Sequence, residues 1–74
     1  MSNINYTNTE NLKKERLAKG LTYEDMANFL GYKSKTTYMY IERGVTSPNI
    51  KVMNNISKIL GKPVQYFFNL NVQE

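Results

Sequence analysis

The sequence predicts a compact all-α domain of five short helices, and three observations carry that expectation. Apolar residues recur every three or four positions, most clearly Ile50, Met53, Ile56 and Leu60. Polar cap residues open the segments, and Gly20, Gly31, Gly44 and Gly61 close four of them, which is how helix ends are marked in a chain. A length of 74 residues suits one small core and leaves no room for a second. Hydrophobic residues at 41% and aromatics at 12% are enough to fill that core and exclude a disordered chain.

Residues 1–8, rich in Asn and Thr and without apolar periodicity, read as a flexible N-terminal arm. The domain then runs over 9–68, and 69–74 form a C-terminal tail. Asn8 or Thr9 caps a first helix over Glu10 to Lys19, with Leu12 and Leu17 inward and Gly20 as the stop. Thr22 stands three residues before Asp25, close to a capping box, and opens a helix over about 23–30 that ends at Gly31. Ser34 caps the third, Lys35 to Arg43, before Gly44. Its Thr36, Thr37, Tyr38 and Tyr40 favour a strand by propensity, but strict alternation is absent and caps bracket the segment. Ser47-Pro48 supplies a cap and a first-turn proline for the fourth helix, which ends at Gly61. Pro63 opens a last short helix through Phe68. The expected core is Leu12, Leu17, Met26, Ala27, Leu30, Tyr38, Ile41, Ile50, Met53, Ile56, Leu60, Val64, Phe67 and Phe68.

The composition removes whole classes of chemistry. With no Cys and no His, disulfides, zinc fingers, thiol nucleophiles and imidazole catalysis are excluded. Six carboxylates scattered over three helices and the tail offer no paired acid-base site or metal cage, so neither an enzyme nor a cofactor or small-molecule ligand is expected. There is no apolar run of about 18 residues and no signal-peptide pattern at the start, so no membrane partner is expected and the expected location is cytoplasmic.

Charge is uneven. Residues 1–25 cancel, whereas over 26–62 Lys33, Lys35, Arg43, Lys51, Lys58 and Lys62 face Glu42 alone, a net +5. A basic middle points to a polyanionic partner.

Several ordered elements sit at fixed spacing: Leu12-(x3)-Arg16-Leu17, Gly20-Leu21-Thr22, Met26-Ala27, Leu30-Gly31, Ile41-Glu42-Arg43-Gly44, Pro48, and Leu60-Gly61 before an aromatic end. Over residues 11–68 the chain resembles the phage repressor and Cro family, the xenobiotic-response-element class with a lambda-repressor-like helix-turn-helix. The resemblance implies a DNA-binding domain whose third helix enters the major groove. It places Lys35, Thr36, Thr37 and Tyr40 against base edges, and their chemistry suits single hydrogen bonds, thymine-methyl contacts and shape readout. Thr22, Tyr23, Lys33, Ser34 and Arg43 are the expected phosphate contacts. Arg16 and Glu42 are implied to form a partly buried structural ion pair. Lys51, Lys58 and Lys62 read as solvated charges that steer at long range.

The family also implies a homodimer on a double-stranded DNA operator with two half-sites. Apolar surface beyond the core, at Tyr66, Leu70 and Val72, is the expected dimer interface. Three departures stand out: Glu15 where an apolar residue is usual, Tyr38 where a small aliphatic is usual, and one extra residue between Gly31 and Glu42, assigned to the turn at Tyr32-Lys33. The expected function is a stand-alone Cro-like repressor. A restriction-modification controller, an antitoxin, or an antirepressor that uses the fold to bind protein are the alternatives, and the basic stretch over 26–62 speaks against the last.

Overall fold

The computed structural model describes residues 6–69. It contains α1 (Thr9–Ala18), α2 (Tyr23–Leu30), α3 (Lys35–Glu42) and α4 (Ile50–Leu60), followed by a 3-10 turn at Val64–Phe67. The architecture is all-helical, but the expected fifth α-helix is that single turn. Pro63 makes no side-chain cap, and the turn is held by short-range bonds from the Tyr66 amide to the Pro63 carbonyl (3.0 Å) and from the Phe68 amide to the Gln65 carbonyl (3.2 Å). Phe68 is then drawn into extended backbone opposite Thr7, so a helix has no length in which to grow.

Caps fix the helix starts. Asn8 Oδ1 accepts from the Asn11 amide at 3.0 Å, and Thr22 and Asp25 form a complete capping box. Ser34 Oγ accepts from the Thr36 amide at 3.1 Å. The cap of α4 is Asn49 rather than Ser47: its Oδ1 reaches the Val52 amide at 2.9 Å, leaving Pro48 outside the helix, before the cap.

Leu12, Met26, Ala27, Tyr38, Ile41, Met53, Ile56, Leu60 and Phe67 form the buried core. Leu30, Val64 and Phe68 pack against it half-buried. Two expected members lie outside. Leu17 is 55% exposed because the inward position four residues after Leu12 belongs to Arg16. Ile50, 60% exposed, is the first residue of α4 and precedes the turn that meets the core.

Residues 6–8, assigned by the sequence to a loose arm, are instead paired with the other end of the chain. The Asn8 amide donates to the Phe67 carbonyl at 2.7 Å and the Asn69 amide to the Tyr6 carbonyl at 2.6 Å, and Thr7 is buried. Backbone pairing outweighs the lack of apolar pattern, a tertiary effect that periodicity does not carry.

Glu15 has a reason to replace an apolar residue. Its Oε2 accepts from the Tyr66 hydroxyl at 2.8 Å, while Asn11 Nδ2 donates to the Tyr66 carbonyl at 2.8 Å. Together they fasten α1 to the 3-10 turn.

Candidate nucleic-acid interface

Between α2 and α3 the chain makes a four-residue turn, Gly31 to Ser34. Gly31 takes φ +79°, the left-handed conformation that glycine adopts without a Cβ penalty. The Gly31 amide donates to the Asn28 carbonyl (3.1 Å) and the Tyr32 amide to the Ala27 carbonyl (2.9 Å), closing α2. Tyr32 packs half-buried against the core, and Lys33 and Ser34 stand exposed at the entrance to α3.

The third helix is divided lengthwise. Tyr38, Ile41 and Glu42 are buried on its inner side. On the outer side Thr36 and Tyr40, one helical turn apart, line up with Arg43 just past the helix end, and Thr37 flanks them. Thr37, Tyr40 and Arg43 are exposed and Thr36 is half-buried. Lys35 is exposed but stands to one side, against α2, where it lines a cleft of about 290 Å³ with Glu24, Ala27, Asn28, Tyr32 and Lys33. The sequence reading places Glu24 by the start of α2, where it weakens the field for phosphate, but not beside Lys35, and it missed Asn28 and Tyr32 as neighbours of this face. Positions 24 and 28 lie one turn apart on α2, a spacing that was legible, but their convergence with Lys35 depends on how α2 and α3 cross.

The inner side is anchored by charge. Arg16 Nε lies 2.8 Å from Glu42 Oε1 and Arg16 Nη2 lies 2.9 Å from Glu42 Oε2. Nη1 donates to the Leu21 carbonyl at 2.7 Å. The hydrogen bond to Glu42 holds the Arg16 guanidinium above its ordinary pKa, against the opposing effect of burial. The guanidinium also sits 4.5 Å from the centre of the Tyr23 ring, which lies 6.2 Å from that of Tyr38.

Two expected phosphate contacts are therefore altered. The Thr22 amide is not open to a ligand, because it donates to Asp25 Oδ2 at 2.9 Å; the capping box reciprocates and occupies it. The Tyr23 ring is turned to Arg16 and Tyr38. Of the expected dimer residues, Tyr66 spends its hydroxyl on Glu15 and its carbonyl on Asn11, with Lys62 Nζ 5.4 Å from the ring centre. Leu70 and Val72 lie outside the described residues. Among the described residues no cluster of three or more acidic side chains could hold a metal ion, and no helix is long and apolar enough to cross a membrane.

The pattern of the helix-turn-helix family matches residues 12–67. The chain is similar to YqaE of Bacillus subtilis (strain 168), named as an HTH-type transcriptional regulator, at 41% identity over 58 residues, which cover 78% of this chain and 49% of that protein. It is also similar to YonR of the same organism, named as an SPbeta prophage-derived HTH-type transcriptional regulator, at 40% identity over 52 residues, covering 70% of this chain and 47% of that one. The chain spans about half the length of these curated relatives.

Proposed function

From the premise that the chain belongs to the helix-turn-helix family, we propose that it is a sequence-specific double-stranded DNA-binding transcriptional regulator, a Cro-like repressor that occupies its operator as a homodimer with α3 in the major groove. The observation that carries this reading is the division of α3. Its inner side is fixed by Tyr38, Ile41 and the Arg16–Glu42 pair, and its outer side presents Thr36, Thr37, Tyr40 and Arg43 with Lys35 at the edge. A helix held this rigidly can offer side chains to base edges in one register.

Lys35, Thr36, Thr37 and Tyr40 take the base edges, Lys35 as donor to guanine and the threonines as hydrogen-bonding and methyl-contacting groups. Lys33, Ser34 and Arg43 take phosphates around them, joined by the hydroxyl of Thr22 and the backbone N–H of Tyr23 at the start of α2. Lys51, Lys58 and Lys62 add attraction at a distance. The prophage origin of one relative, YonR, agrees with a phage-type repressor.

The test is selection of a binding site from a randomised duplex pool, followed by fluorescence anisotropy against the selected and a shuffled duplex. The expected result is a two-fold symmetric site preferred by at least about a hundredfold, with two chains per site. Equal, weak binding to both duplexes would overturn the reading and favour a protein partner.

A further inference from the structure

We propose that Glu24 is a specificity-determining residue that restrains the DNA-facing surface: it lowers the attraction of Lys33 and Lys35 for phosphate in general and so widens the gap between the operator and other DNA. The inference rests on the DNA-reading role proposed above. Glu24 is exposed and lines the same cleft as Lys33 and Lys35.

The structure gives the neighbouring carboxylates other work. Asp25, not Glu24, closes the capping box with Thr22. Glu42 is committed to Arg16, and Glu15 to Tyr66. Glu24 makes no hydrogen bond of the capping box, yet it puts a negative charge in the cleft it shares with the two lysines at the entrance to α3. Non-specific association is driven almost wholly by cations meeting phosphates, and a carboxylate at that point competes with phosphate for both lysines. Specific association also draws on the hydrogen bonds and methyl contacts of Thr36, Thr37 and Tyr40 along α3, which carry no charge for a carboxylate to offset. Discrimination by penalising the wrong complex is a general route to specificity.

The experiment compares the whole chain and its Glu24→Gln variant by anisotropy on the selected and shuffled duplexes over a range of salt. Glu10→Gln, the same charge change at the start of α1, serves as control. The expected result for Glu24→Gln is about tenfold tighter binding to the shuffled duplex, about threefold tighter binding to the operator, and a salt slope steeper by about one ion. Because the expected change is a gain, partial unfolding of the variant cannot imitate it. Unchanged affinity for the shuffled duplex, an equal gain on both duplexes, a gain matched by Glu10→Gln, or weaker operator binding would each overturn the inference. A parent protein without operator preference would overturn the DNA-reading role and this inference with it, whereas a parent preference that Glu24→Gln leaves unaltered overturns the inference alone.

Discussion

Arg16 and Glu42 meet side-on, with Nε 2.8 Å from Oε1 and Nη2 2.9 Å from Oε2, so two parallel hydrogen bonds join the last turn of α1 to the last residue of α3. Both residues are buried. The fork geometry fixes direction as well as distance, and the buried face of α3 is thereby aligned on α1. Since Glu15, the preceding residue, bonds Tyr66, two consecutive side chains tie α1 both to α3 and to the C-terminal turn.

Glu42→Ala strands the buried guanidinium and is expected to cost about 3–5 kcal/mol. In a domain this small that is most of the stability. Urea unfolding should show the variant largely unfolded, with Glu42→Gln between it and the parent because one acceptor remains. A midpoint within error of the parent for Glu42→Ala would show that the pair holds nothing. The arginine side adds no pH switch: the hydrogen bond to Glu42 raises an already strongly basic pKa, and a raised value loses stability only as pH climbs through it.

Tyr38 sets the alkaline limit. Its buried hydroxyl meets no hydrogen-bond partner at good geometry among the described residues, and burial, then the charge and close approach of Glu42, push its pKa far above the usual 10. The unfolded tyrosine ionises near pH 10 while the folded one keeps its proton, so stability is full below pH 10 and falls as pH rises beyond it, by up to about 1.4 kcal/mol per unit. Tyr38→Phe is expected to match or exceed the parent by about 1 kcal/mol at pH 7 and to decline less steeply above pH 10. Denaturant titrations at pH 7, 10 and 11 check both. A loss of more than about 2 kcal/mol at pH 7 would reveal a hydrogen bond from Tyr38 to Glu42.

Local signals were legible and their meeting points were not. The Thr22–Asp25 box, the Ser34 cap and Gly31 as the end of α2 are written within a few residues, and the structure has all three. The periodic face Met53, Ile56 and Leu60 is equally local. Leu17 misled because an apolar residue five positions from Leu12 looks inward on a short count, while the helix turns it outward and gives the inward place to Arg16. The pairing of residues 6–8 with 67–69 has no signature in either segment alone. The same holds for the site: the inward pair Tyr38 and Ile41 follows from spacing and the outer residues of α3 from the family resemblance, but the cleft that Glu24 and Asn28 share with Lys35 arises from the crossing of two helices.

Gly31→Ala tests the turn. A Cβ at this position would meet nothing within 4 Å, so packing raises no objection. The cost is the left-handed backbone at φ +79°, about 1–2 kcal/mol for a residue with a side chain. Gly31→Asn, which tolerates this conformation better, should recover part of it. Equal unfolding midpoints for Gly31→Ala and the parent would show that the turn relaxes freely into another conformation.

Lys35 and Arg43 occupy different places around the outer side of α3, one beside α2 at its start and the other just past its end. They should fail differently. If Lys35 donates to a base edge as proposed, Lys35→Ala is expected to cost about 1–3 kcal/mol on the selected operator while flattening discrimination at one base pair of each half-site. If Arg43 meets phosphate as proposed, Arg43→Ala should weaken binding to all duplexes alike and lower the salt slope by about one ion. Both side chains are exposed, so neither change should move the unfolding midpoint by more than about 0.5 kcal/mol. Anisotropy on a panel of single-base operator variants at three salt concentrations separates the two signatures. A Lys35→Ala variant with uniform losses across the panel would show that Lys35 meets phosphate, and the base-reading set would shrink to the outer line of Thr36, Thr37 and Tyr40.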